Sequence, residues 1–180
     1  MHIFLIFALT FTLSAQQDSR GTNDDCRLSS NQGNSPGINT GSRFSSNQVM
    51  LPFKNIIPGG LKPKMTFIIR GFVPWKASSF GIDFVAGPDI ALHINPRLSQ
   101  GTVVRNSFLK GSWGPEELDL PFNPFEYGKF FELSISCGKY QFIVYANDEF
   151  LFSYTHRYID FQKINTLKIN GDVIFSYIQY

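Results

Sequence analysis

The sequence predicts an all-β fold, an antiparallel β-sandwich over residues 49–180, preceded by a tail that contributes no core. Three observations predict it. Short apolar segments with two-residue alternation follow one another from about Val49. Turn residues separate them at close intervals, and no long helical period appears.

The elements follow in order. Residues 65–73, Met-Thr-Phe-Ile-Ile-Arg-Gly-Phe-Val, read as a strand closed by Pro74. In residues 79–85 the side chains of Phe80, Ile82 and Phe84 alternate, which puts them on one face. Gly87-Pro88-Asp89 is a turn. In residues 90–97 Ile90, Leu92 and Ile94 are predicted to point one way, and Ala91, His93, Asn95 and Arg97 the other. Residues 102–108 form the next strand. Residues 129–136 and 140–145 form two more, separated by Cys137-Gly138-Lys139. Asn147-Asp148 is a two-residue turn into the strand at 150–154. Residues 158–163 hold one helical turn. A strand at 166–169, a turn at Asn170-Gly171-Asp172 and a last strand from Val173 complete the domain.

Two segments precede it. Residues 3–13 are apolar and end at Ser14-Ala15, too short to span a bilayer as a helix. The run resembles the apolar core of a secretory signal peptide with a small residue at the cut, although no Lys or Arg precedes it. A secreted, extracellular product is expected; the alternative is an uncleaved apolar extension on a chain that also resides in the cytoplasm. Residues 16–48 are rich in Ser, Asn, Gly and Gln and hold few residues able to bury surface. They cannot offset the entropy of ordering and read as a disordered tail. The chain contains no Asn-x-Ser/Thr acceptor.

Composition bounds the function. Of 180 residues 43% are hydrophobic and 16% aromatic, with 19 Phe, ample for one packed core. The net charge is +2 and the 16 basic residues are scattered, which speaks against a nucleic-acid partner. Cys26 and Cys137 are too few for a disulfide scaffold and lack metal-site spacing; both are read as free thiols, a bridge between them being the alternative. No nucleophile elbow, phosphate loop or metal cluster occurs, so neither cofactor nor metal is expected. Glu116 and Glu117 are adjacent and face opposite ways in an extended chain, which argues against a glycosidase pair.

The polar face of residues 91–97 points to binding. His93, Asn95 and Arg97 stand at i, i+2 and i+4, so one strand projects a ring nitrogen, an amide and a guanidinium to one side. Asn106 comes from the next strand. Trp113 follows among Gly111, Gly114 and Pro115, and Glu116 comes shortly after. Sugars need directional hydrogen bonds for their hydroxyls and an aromatic face for their C–H patch.

In order and spacing, His93-Ile94-Asn95-Pro96-Arg97, Val104-Arg105-Asn106-Ser107 and Trp113-Gly114-Pro115-Glu116-Glu117 resemble the carbohydrate-recognition signature of the galectins. The resemblance continues through Leu120-Pro121-Phe122, Tyr154-Thr155-His156-Arg157 and Ile169-Asn170-Gly171-Asp172-Val173, and so covers residues 49–180. It implies a jelly-roll sandwich of the galectin and concanavalin type, a non-enzymatic lectin, and β-galactoside glycans on glycoproteins or glycolipids as partners. His93, Asn95 and Arg97 would bond the axial 4-hydroxyl of galactose, and Trp113 would stack on its apolar face. Asn106 and Glu116 would hold the 6-hydroxyl, and Arg97 with Glu116 would reach the 3-hydroxyl of the next sugar. His156 and Arg157 are read as structural. Where the family commonly has Arg, this chain has Leu118, which predicts a weaker or altered second-sugar preference. Monomer, sandwich-edge homodimer and half of a two-domain relative all stay open, as does a galectin-fold protein that has lost sugar binding.

Overall fold

A computed structural model describes residues 51–180. The expectations for the leader, the tail and the pairing of Cys26 lie outside the described residues. The strands are β1 (Phe53–Ile56), β2 (Thr66–Phe72), β3 (Phe80–Ala86), β4 (Asp89–Arg97), β5 (Thr102–Leu109) and β6 (Ser112–Trp113). They continue with β7 (Phe130–Cys137), β8 (Gln141–Ala146), β9 (Glu149–Thr155), β10 (Thr166–Gly171) and β11 (Ile174–Gln179). Short 3-10 turns occupy Leu98–Gln100 and Phe161–Lys163, the second inside the predicted helical turn.

All pairings are antiparallel and build two sheets, one of order β1-β10-β3-β4-β5-β6 and one of order β11-β2-β7-β8-β9. This is the sandwich the alternation predicts. Phenylalanines fill the space between the sheets: Phe67 meets Phe84 edge to face with centroids 4.9 Å apart, and Phe84 lies 5.3 Å from Phe142. Buried Cys137 belongs to this core, and burial pushes its thiol up to about 11, which leaves it protonated and unreactive. Asn147 and Asp148 both take left-handed backbone angles, as the predicted tight turn between β8 and β9 requires.

Register shifts occur between β11 and β2 and between β8 and β9, but the departures that shape the site are in β3 and β4. β3 is buried along its whole length, so its second face, with Gly81 and Asp83, is covered too. β4 carries a bulge: Val85 pairs with Ile90 but Phe84 with Leu92, and on the other side Ile90 pairs with Phe108 but His93 with Asn106. The predicted alternation therefore fails around Ala91, which is buried together with Leu92 while Ile90 is only half-buried. The Ala91 carbonyl is taken by the Ser107 hydroxyl at 2.7 Å. From Leu92 onward the alternation is regular, and His93, Asn95 and Arg97 share a face as predicted.

That bulge bond extends into the core. Ser107 Oγ donates to Ala91, so the Tyr154 hydroxyl, 2.7 Å away, donates to Ser107. Tyr154 is fully buried, and desolvation raises its pKa despite the Ser107 bond. A buried polar chain thus ties β9 to β5, the strand that carries Asn106.

Candidate functional site

β4, β5 and β6 position the site. His93 on β4 stands opposite Asn106 on β5, and Phe108 on β5 stands opposite Trp113 on β6. The turn between β5 and β6 is made by Lys110 and Gly111, both with left-handed backbone angles. The Asp89 carboxylate accepts from the Lys110 amide at 2.8 Å and pins this turn to the start of β4. Trp113 is thereby held half-exposed, its ring 5.0 Å from His93 and 5.3 Å from Phe108.

These residues enclose a cleft of about 310 Å³ lined by His93, Arg97, Asn106, Trp113 and Glu116, with Val104 and Gly114. Five of the six predicted binding residues therefore meet in one place. Asn95, the sixth, stands behind them. Its amide donates to the Phe80 carbonyl at 2.7 Å and its oxygen accepts from Arg97 Nε at 3.1 Å, so it orients Arg97. Arg97 Nη2 in turn donates to Glu116 Oε1 at 2.9 Å. Both partners are about two-fifths exposed, so the pair adds little to stability and leaves its outer donors and acceptors free for a ligand. Leu118 lies outside the cleft lining and is 48% exposed.

Sequence reasoning missed two residues. Asp83 on β3 is 6% exposed, and its Oδ1 lies 2.5 Å from His93 Nδ1. A carboxylate only accepts, so Nδ1 carries the proton, and the bond fixes the ring where it lines the cleft. The available signal was an acidic residue inside an otherwise apolar strand. Gly81 lies beneath the same ring: an added Cβ would stand 3.3 Å from His93 Cε1. The second missed residue is Arg157, read from sequence as structural alone. It reaches the cleft from beyond β9, donating to Asn106 Oδ1 at 3.0 Å and to the Pro115 carbonyl at 2.8 Å.

His156, its neighbour, is structural. Nε2–H donates to the Gly138 carbonyl at 3.0 Å, the ring packs between Phe142 and Phe161, and Nδ1 is buried without a partner. Burial lowers its pKa, and the Gly138 bond opposes this only in part. The unfolded chain takes up this proton near its ordinary value of about 6.5 and the folded chain at lower pH. Stability is therefore full above about pH 6.5 and declines as pH falls below it. Replacing His156 by Gln should flatten this decline in urea midpoints taken between pH 7.5 and 5.5; an unchanged slope would contradict the assignment.

Among the described residues no three His, Cys, Asp or Glu side chains gather as a metal group, and no helix is long and apolar enough to cross a membrane. Buried Arg105 faces away from the cleft: it donates to the Val103 and Asp119 carbonyls and lies over the Phe152 ring, and desolvation lowers its pKa.

Residues 52–180 match the family described as galactoside-binding lectin. The chain is 53% identical over 131 residues to human galectin-4, covering 72% of this chain and 41% of that one. It is 48% identical over 130 residues to mouse galectin-6, covering 71% and 43%. The chain thus spans only about two-fifths of the length of these relatives. A solved human galectin-16 variant superposes with TM-score 0.65 at 27% identity, covering 73% of this chain and 96% of that one. Sheep galectin-11 shares the fold, with TM-score 0.66 at 24% identity over 73% of this chain and 98% of that one. With the family match covering most of its length and the expected polar row gathered on β4 and β5, this chain belongs to the galectins, the galactoside-binding lectins.

Proposed function

We propose that the cleft binds β-galactosides of the lactose and N-acetyllactosamine class directly, without chemistry and without a metal ion, with residues 49–180 as the recognition domain. The observation that carries this reading is one cleft lined by the paired Arg97 and Glu116, by His93 and Asn106, and by the half-exposed ring of Trp113. A galactose ring laid on Trp113 turns its axial 4-hydroxyl toward His93 Nε2 and the Arg97 guanidinium. Its 6-hydroxyl lies toward Asn106 and Glu116. The outer edge of the Arg97–Glu116 pair meets the 3-hydroxyl of the next sugar.

Glucose carries the 4-hydroxyl equatorially and leaves these groups unpaired, at about 1–3 kcal/mol each. That cost is the source of selectivity. A metal has little to offer here: the cleft presents one carboxylate, Glu116, already held by Arg97, whereas Ca²⁺ takes about 6–8 oxygens. The apolar run at residues 3–13 supports an extracellular destination, where such glycans occur. Crosslinking of glycans there needs a second site, from a homodimer or a further domain.

Retention on immobilised lactose with elution by free lactose tests the reading; folded protein in the flow-through would reject it. Leu118 sets the second-sugar side. Replacing Leu118 by Arg adds an exposed donor of roughly 0.2–1 kcal/mol, so N-acetyllactosamine should bind about threefold tighter by calorimetry. No change or a loss would sink that role.

A further inference from the structure

Asn106 is a cleft residue whose amide is almost fully used by the protein. It is 3% exposed. Its Oδ1 accepts from the Ser107 amide at 2.8 Å and from Arg157 Nη1 at 3.0 Å, and its Nδ2 donates to the Gly114 carbonyl at 2.8 Å. A carboxamide oxygen has two lone pairs and the nitrogen two hydrogens. Both lone pairs are taken, and one hydrogen remains. Flipping the amide would set its NH₂ against two donors, so the orientation is fixed.

Arg157 is the long-range part of that lock. Its guanidinium lies 4.8 Å over the Tyr154 ring, which holds the side chain flat against the core. The other arms of its fork hold the cleft wall: Nη1 donates to the Pro115 carbonyl at 2.8 Å and Nη2 to Glu117 Oε1 at 2.7 Å. Pro115 and Glu117 flank Glu116, and Gly114 follows Trp113. Gly114 leaves the necessary room, since an added Cβ would stand 2.8 Å from Arg157 Nη1 and 3.2 Å from Asn106 Oδ1.

We propose that Arg157 is a positioning residue for the sugar's hydroxymethyl group. It fixes Asn106 as a one-hydrogen donor and holds the 114–117 segment that carries Glu116. The ligand hydroxyl at C6 then accepts a hydrogen bond from Asn106 and donates one to Glu116, so the site selects a neutral hydroxyl there. The proposal rests on the galactoside reading above and adds a residue to it that touches no sugar.

The test compares lactose with its 6′-deoxy analogue by calorimetry on the full chain. The wild type should bind lactose about tenfold tighter than the analogue, the loss expected for one hydroxyl with two bonds. In Arg157→Met, which keeps an unbranched chain but removes every bond the guanidinium donates, the ratio should collapse to about twofold or less as Asn106 Oδ1 loses one of its two donors and the 114–117 segment loses its tie. A merely structural role would weaken both ligands by the same factor and keep the ratio, and that result overturns the proposal. If Arg157→Met fails to fold by thermal melting, Arg157→Lys carries the test. Its donors sit on one nitrogen and cannot reproduce a planar fork whose Nη1 and Nη2 reach separate acceptors, so the ratio should drop, and an unchanged ratio overturns the proposal. A wild type that binds neither ligand overturns the galactoside reading itself. A wild type that discriminates, with a variant that discriminates equally, overturns only the role of Arg157.

Discussion

Replacing Trp113 by alanine is expected to weaken lactose binding about thirtyfold while leaving the fold in place. The loss combines the apolar area that the indole shares with the galactose ring and the directional part of aromatic stacking, together about 2 kcal/mol. The fold should tolerate the change because the side chain is half-exposed on the two-residue strand β6, at one edge of its sheet. Its ring packs beside the His93 and Phe108 rings. A urea midpoint close to wild type, with calorimetric affinity reduced by that factor, is the expected pair of results. Undiminished affinity would remove Trp113 from the site.

The largest stability effect is expected at Phe84, whose ring is fully buried between the sheets. It packs edge to face on Phe67 and against Phe142, so it joins both layers through β3. Truncation to alanine leaves a cavity that its neighbours fill only in part, at a cost of about 3–5 kcal/mol. That is a large share of a typical domain stability of about 5–15 kcal/mol. Urea denaturation should show the midpoint falling with little change in slope. A loss below about 1 kcal/mol would show that the core repacks around the site. The effect also reaches the cleft, because Asp83, next to Phe84 on β3, holds His93.

The strand pattern was legible in the sequence wherever a strand was long enough for alternation to repeat, as in β2, β3 and β7. β1 and β6, of four and two residues, were not, because so short a run carries no period. The bulge in β4 was hidden for another reason. Ala91 fits either face, so nothing in residues 90–92 marks the slip of one position that the pairing reveals. Of the site, the six predicted residues lie in three local blocks, and local spacing was enough to place five of them around one cleft. Asn95 is the exception in role, turned inward to orient Arg97. Asp83 and Arg157 escaped because their parts depend on sheet pairing and on packing across 51 positions of sequence, respectively. Neither distance can be read from spacing. An acidic residue in an apolar strand, and an arginine beside a buried tyrosine, were the traces they left.

Selectivity for galactose is proposed to rest on His93, Arg97 and their neighbours recognising its axial 4-hydroxyl. Calorimetric titration of the full chain with lactose and with cellobiose, which differ in that hydroxyl's orientation, tests it most directly, with a chelator present throughout. Measurable lactose binding is expected, with at least about tenfold weaker binding of cellobiose, the cost of leaving one buried polar group unpaired. Equal affinity for the two, or folded protein that binds neither, would contradict it.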